Sequence, residues 1–443
     1  MIDFLERMSY VSTPEAPRAL NVALLGCGVV GTEVARILIT DAQNLAARVG
    51  APLNLIGIAV RDASVPRADI IDPALLTTDA LGLVARADLV VEVMGGIEPA
   101  KSYIEAAIAG GASVITANKA LLAQDGPALY QAADAAGVDL SYEAAVAGAI
   151  PIIRPIRESL AGDTIKRVLG IVNGTTNYVL DQMTKNGLAF DQAVRQAQEL
   201  GFAEADPTAD VEGYDAAAKA AILASLAFHT RVSLAEVGRA GITNVTAEDV
   251  EWAKRSGHTI KLLAICERTN QGVSARVHPS LVPNDHPLAN VNGAYNAVFV
   301  EAENAGSLMF YGQGAGGAPT SSAIMGDLVT AARNRLLAAR GPGESAYADL
   351  PILAQADTVT RYQIRLSVTD RSGVLHRITE VFSTHDVSIE TMIQAPREDR
   401  AGSAYLILTT HAGRERALAA TVAALEALEV VQEVTSVLRV EGF

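Results

Sequence analysis

Up to Pro151 the chain alternates short apolar runs with amphipathic stretches. Ala19 to Leu25, Leu53 to Val60, Asp88 to Met94, Ser113 to Thr116 and Val138 to Tyr142 are short enough to read as strands. Between them apolar positions recur at helical spacing, as in the stretch that runs through Ile39. This alternation predicts an α/β domain over 19–150 with a parallel sheet. Beyond Pro151 it gives way to a mixed α+β layout over 151–317, with strands at Thr164–Val172, around Val273–Val277 and at Ala297–Glu303. KLLAICER, around Cys266, reads as an apolar helical run. Pro319 marks the start of a helix that returns to the first domain and completes it with 318–338. Residues 339–358 mix Gly, Pro and Ala without a period and read as a flexible linker. Strand alternation resumes in YQIRLSVTD, and the order βαββαβ predicts a ferredoxin-like domain over 359–443 that folds by itself.

Composition narrows the classes. The chain has 443 residues, half of them hydrophobic and 19% charged, which excludes wholesale disorder and allows two or three domains. A net charge of −15 argues against nucleic acid or an anionic membrane surface as the main partner. No uncharged apolar run reaches membrane-spanning length. Cys27 and Cys266 cannot build a disulfide framework, so a reducing compartment fits. Residues 1–18 lack a continuous apolar core and read as a loose tail rather than a signal peptide. The expectation is a cytoplasmic protein.

Three stretches carry chemistry. Gly26-Cys27-Gly28-Val29-Val30-Gly31 lies between a strand and a helix, where glycines permit a tight turn and close backbone approach to a pyrophosphate. That placement predicts a Rossmann-type dinucleotide-binding domain, with Gly26, Gly28, Val29, Val30 and Gly31 against the cofactor. Arg61 and Asp62 end the next strand; an acid there favours the ribose 2′-hydroxyl and an arginine a 2′-phosphate. Arg61 comes first, so NADP is favoured and NAD stays open. In Asn173-Gly174-Thr175-Thr176-Asn177, Gly174 opens a helix whose free amides suit an anion or a nicotinamide amide. The third stretch, ELGFAEADPTADVEGYDAAAK, holds Glu204, Asp206, Asp210 and Asp215 with no basic residue before Lys219. Asp215 and Lys219 fall at i and i+4 on an apolar helix, so the lysine is a tuned proton carrier or an anchor for an anion.

Ala197, Gly201-Phe202-Ala203, Asp206-Pro207, Asp210-Val211, Gly213, Asp215 and Lys219 resemble, spacing included, the signature of homoserine dehydrogenases. The resemblance covers nearly the whole chain outside the tail and the linker. It implies NAD(P)-dependent interconversion of L-homoserine and L-aspartate 4-semialdehyde, in threonine, methionine and isoleucine biosynthesis. Residues 151–317 become the catalytic and dimerisation domain of a homodimer or homotetramer. Lys219 is implied as the acid/base, with Lys119 second, and Glu204 and Asp215 as seats for the substrate ammonium. The TANKA turn implies Thr116 and Lys119 against the cofactor, and the second glycine cluster implies Gly314 and Gly316. Glu143 and the carbonyls of Val146, Gly148 and Ile150 are implied to hold a monovalent cation, sodium in the family. D-R-S-G-V-L after the first strand of the tail resembles an ACT module, with threonine as the implied amino-acid effector.

Two rivals remain on the sequence. An aldehyde dehydrogenase that works through a cysteine would need a nucleophile beyond the cofactor domain, and neither cysteine suits that role. An idle amino-acid sensor would have no use for Lys119, Glu204, Asp215 and Lys219 together.

Overall fold

The computed structural model describes residues 18–397 and 400–442, so the tail expected over 1–18 lies, Arg18 apart, outside the described residues. The chain forms two compact units. One runs to Ala149 and takes back Gly316–Glu344; the other comprises Ile150–Ala315 and Ser345–Phe443. Among the described residues no helix is long and apolar enough to cross a membrane.

The first unit is built on β1 (Leu20–Leu25), β2 (Leu53–Ala59), β3 (Leu76–Thr77), β4 (Leu89–Glu92), β5 (Ser113–Thr116) and β6 (Leu140–Ser141). They lie in the order β3-β2-β1-β4-β5-β6, and every ladder is parallel. Parallel strands buried on both faces need continuous apolar sequence, and Val22 to Leu25 and Leu89 to Val91 are wholly enclosed. Helices Val29–Thr40, Ala42–Val49 and Gly317–Leu336 cover one face through Val34, Leu38, Leu45, Ile324 and Leu328. Helices Ala80–Val84, Ala100–Ala109 and Lys119–Ala136 cover the other through Leu83, Ile104 and Leu129. The strand order reverses between β1 and β4, where such sheets open a crevice at the strands' carboxyl ends.

The second unit contains β7 (Ile165–Ile171), β8 (Gly238–Arg239), β9 (His258–Thr269), β10 (Gly272–Pro283), β11 (Tyr295–Ala302), β12 (Gly306–Gln313), β13 (Val359–Thr369), β14 (Ile389–Pro396), β15 (Ser403–Thr410), β16 (Gly413–Arg414) and β17 (Val431–Val440). Among the described residues they make one sheet, ordered β12-β11-β7-β9-β10-β17-β13-β15-β14, with β8 on β10 and β16 on β13. KLLAICER is therefore not helical. It lies in β9, paired over its length with β10. The expectation failed because Ile260 to Cys266 is buried on both faces, and a doubly buried strand has no polar alternation to mark it.

The βαββαβ tail is joined to the sheet of β7 and β9–β12 rather than tethered beside it. β17 pairs in parallel with β10, Ser280 against Arg439 and Leu281 against Val440. The next residue, Glu441, donates its amide to Leu281 O at 3.0 Å. Its carboxylate is 1% exposed and meets both Arg167 and Arg276, the latter at 3.3 Å. Arg365 of β13 reaches Asp249 at 3.0 Å on helix Ala247–Arg255, and Trp252 of that helix meets the Tyr405 ring edge-on. The segment expected to be a flexible linker is irregular but held. Ala348 bonds His229 O, Leu350 bonds Thr230 Oγ1, and Val273 bonds both Pro351 and Leu353.

Candidate functional site

In the first unit the glycine turn leaves β1 and enters helix Val29–Thr40. Gly26 has a φ of +104°, and a Cβ there would meet Val93 O at 3.0 Å. A Cβ at Gly31 would sit 2.2 Å from Gly26 O, so the helix can start this close to the strand only with glycine. At Gly28 a Cβ would find nothing within 4 Å, so the backbone there is open to a ligand. The helix has no side-chain cap, and Val29 is 76% exposed in its first turn. Uncapped amides at an open helix start suit a pyrophosphate. Val30 lies on the same turn, and Gly317, directly after Gly316, packs against Val29. Arg61 is exposed just beyond β2. Arg67, which sequence reasoning passed over, reaches Cys27 O at 3.0 Å, close to the turn.

The carboxyl ends of β4 and β5 are tied together by Glu92, which was also missed. It is fully buried and accepts from Met94 N at 2.7 Å and from Thr116 Oγ1 at 2.6 Å. The detectable signal is a lone acid inside an apolar strand. Thr116 Oγ1 in turn accepts from Asn118 N, whose side chain donates to Gly96 O and caps the helix that Lys119 begins. Glu143 is buried, and its amide donates to Asp327 on helix Gly317–Leu336. After it, Val146 is buried and Ala147 and Gly148 both take positive φ, 57° and 59°. Ile150 opens the second unit and is itself buried.

In the second unit Gly213 starts helix Tyr214–Phe228, whose wall is almost wholly buried Ala, Ile and Leu. Lys219 is 7% exposed and Asp215 9%. Lys219 Nζ donates to Asp215 Oδ2 at 2.6 Å and to Val172 O, just past β7, at 2.7 Å. Asn173 follows that carbonyl, and its Nδ2 reaches Asp215 at 2.9 Å and Asp210 at 2.7 Å. The acidic stretch and the NGTTN turn are thus one assembly around Lys219. Asn173 Oδ1 also caps Gly174–Asn186 by accepting from Thr176 N. Phe202 is held beside this helix by Thr175 and the Tyr178 ring, which places exposed Glu204 on the adjoining loop. Gly314 follows β12 and lies against Asn296 of β11.

Neither cysteine is a nucleophile. Cys266 is fully enclosed, and burial pushes its thiol up to about 12; Cys27 is buried in the glycine turn. Among the described residues no group of three or more His, Cys, Asp or Glu side chains could hold a metal ion.

Comparison with known proteins agrees with this arrangement. Residues 26–143 match the family profile "Homoserine dehydrogenase, NAD binding domain", residues 151–329 "Homoserine dehydrogenase" and residues 362–430 "ACT domain". The homoserine dehydrogenase of Mycobacterium tuberculosis is 56% identical over 97% of this chain and 99% of its own length. That of Corynebacterium glutamicum is 54% identical over 96% of each chain. The crystal structure of a homoserine dehydrogenase from Thiobacillus denitrificans, 39% identical, superposes with a TM-score of 0.90 over 96% of this chain and 98% of that one. A hyperthermophilic archaeal homoserine dehydrogenase in complex with NADPH, 28% identical, gives 0.62 over 74% of this chain and all of that one. With a dinucleotide turn in one unit and a buried lysine held by a carboxylate and a backbone carbonyl in the other, the chain belongs to the homoserine dehydrogenases, NAD(P)-dependent oxidoreductases, and carries a C-terminal ACT domain.

Proposed function

We propose that the protein interconverts L-homoserine and L-aspartate 4-semialdehyde, with Lys219 carrying the proton. The observation that carries this is the fixed ammonium of Lys219, two of whose N–H bonds are directed at Val172 O and Asp215 Oδ2. A lysine held in direction serves proton transfer better than one that must be ordered in each turnover. In the reductive direction Lys219 gives its proton to the oxygen formed at the aldehyde carbon; in the oxidative direction neutral Lys219 takes the hydroxyl proton. The nicotinamide, when bound, supplies or accepts the hydride. Asp215 and Glu204 provide the negative charge that seats the substrate ammonium, and Asn173 holds Asp215 in place. Lys119 is the second candidate for the proton role.

Gly26, Gly28, Val29, Val30 and Gly31 would hold the pyrophosphate, Arg61 a 2′-phosphate, and Thr116, Lys119, Gly174, Gly314 and Gly316 the nicotinamide half. NADP is the favoured cofactor. A monovalent cation, sodium by resemblance, is proposed at Glu143 and the Val146, Gly148 and Ile150 carbonyls. The buried Glu143 carboxylate and the reversed backbone at Ala147–Gly148 support it, because hard carbonyl and carboxylate oxygens suit such an ion. The ACT domain is proposed to bind threonine, at the uncapped start of helix Val374–Thr384 after Gly373. The enzyme would act in threonine, methionine and isoleucine synthesis, in the cytoplasm, as a homodimer or homotetramer. Incubation with homoserine and NADP while nicotinamide absorbance is followed tests the reading. Homoserine-dependent reduction of NADP supports it, and none with either NADP or NAD overturns it.

A further inference from the structure

The loop that follows β2 leaves the sheet beside the glycine turn and comes back to it. At its start Gly26 donates its amide to Ala59 O at 2.9 Å, and Arg61 stands two residues further on. At its far end Arg67 Nη1 donates at 3.0 Å to the carbonyl of Cys27, which lies between the first two glycines of the turn. One short loop therefore holds two arginines at one turn, all within the first unit.

The two differ in freedom. Arg61 is exposed, and among the described residues its side chain has no hydrogen bond. Arg67 is half-buried and anchored through Nη1, with its Nε enclosed and unpartnered. Among the described residues neither guanidinium has a carboxylate within ion-pair distance. The loop's own acid, Asp62, is turned back on itself, its Oδ1 accepting from Ser64 N at 2.8 Å and Ser64 Oγ at 2.6 Å. A water pairs Nε but balances no charge. In a chain of net charge −15, two cations at one turn without counter-ions mark the place of an anion.

A dinucleotide brings its pyrophosphate to the free amides of the helix start beyond Gly28. Its adenosine ribose lies against the loop after the second strand, which here is the loop of Arg61 and Arg67. A ribose 2′-hydroxyl leaves both charges unmatched, whereas a 2′-phosphate matches both. From Arg61 to Pro66 the loop is exposed, so a phosphate approaches from solvent. We propose that Arg67 is a specificity-determining residue that grips the 2′-phosphate of NADP beside Arg61. The proposal rests on the NADP reading given above and adds the fixed half of the grip. Arg61 supplies charge on a free side chain; Arg67 supplies a planar fork already anchored, which loses less freedom when it binds.

The test is calorimetric titration of the full chain with 2′-phospho-ADP-ribose and ADP-ribose, which share the pyrophosphate and lack the nicotinamide. Arg67→Gln keeps a donor for Cys27 O and removes the charge. It should bind 2′-phospho-ADP-ribose about ten- to a hundredfold more weakly than wild type, with ADP-ribose within about twofold. Arg67→Lys keeps the charge without the fork and should fall between the two, so it supplies the answer if the glutamine variant fails to fold. Variants that keep the wild-type preference for the phosphorylated ligand overturn the proposal. Equal weakening of both ligands overturns it too, because Arg67 then only shapes the turn. Wild type that binds the two ligands equally refutes the 2′-phosphate reading itself, for Arg61 as well as Arg67.

Discussion

Replacing Glu441 with Gln removes the charge that joins the last strand to the catalytic sheet. Its carboxylate and the side chain of Arg276 are 1% and 3% exposed, and Arg167 on the other side is 10% exposed. Arg276 keeps Glu267 at 3.2 Å, but Arg167 keeps no other ion pair among the described residues. Breaking a buried pair by removing one partner costs about 3–5 kcal/mol, because the remaining charge stays buried without compensation. For a unit of this size each kcal/mol lowers the melting temperature by roughly 2–4 °C, so the expected drop is on the order of 6–20 °C. Calorimetric melts of the full chain measure it, with Glu433→Gln, an exposed acid of β17, as the control expected within about 0.5 kcal/mol. A Glu441→Gln protein within about 1 kcal/mol of wild type would refute the idea that this carboxylate fastens the two parts of the sheet.

Truncation near Ala348 should be worse than Glu441→Gln, because it also removes the β17 backbone paired with Ser280 and Leu281 and the bonds of Pro351 and Leu353 to Val273; a soluble, fully active truncated enzyme would show that the tail folds apart. Arg61→Ala should weaken NADP by about ten- to a hundredfold through loss of a charge-assisted bond of ~1.5–3 kcal/mol and leave NAD nearly unaffected; titrating both cofactors checks it, and equal losses refute a phosphate contact. Burial, helped by Arg439, Arg276 and Arg167, holds the His278 imidazole well below its usual range, with Ser280 and Glu441 the other groups facing it. The unfolded chain therefore takes up that proton first, so stability falls as the pH drops through ~6.5, at up to about 1.4 kcal/mol per pH unit. Denaturant melts at pH 7.5 and 5.5 should show a smaller drop in His278→Asn than in wild type, and equal drops would contradict this.

The parallel sheet was legible because its apolar runs are short, alternate with helical stretches and each end at a polar or glycine turn, whereas KLLAICER sits in a longer apolar run without such a boundary. The Asp215–Lys219 pair was legible because helical spacing puts residues four apart on one face. Asn173 was read as a helix opener, yet it also bridges two carboxylates distant in sequence, which no local pattern encodes. Glu92 was passed over for a related reason. A single polar residue in an apolar strand reveals its role only when its neighbours across the sheet are known. The joined sheet was hidden because the residues that make it, Leu281 and Val440, look like any other strand positions. Glycine and proline in residues 339–358 announced irregular backbone, and irregular backbone held by hydrogen bonds to β10 and Thr230 was read as slack.

Lys219→Met separates proton transfer by Lys219 from every other role of the buried helix. Methionine keeps the apolar stem along the buried helix wall and removes the ammonium that bonds Val172 and Asp215. Steady-state kinetics with homoserine and NADP, alongside calorimetric titration of NADPH, separate chemistry from binding. With Lys219 as the proton carrier, kcat falls by at least ~100-fold while NADPH affinity changes little. A Lys219→Met enzyme with near-wild-type kcat would contradict it and pass the role to Lys119.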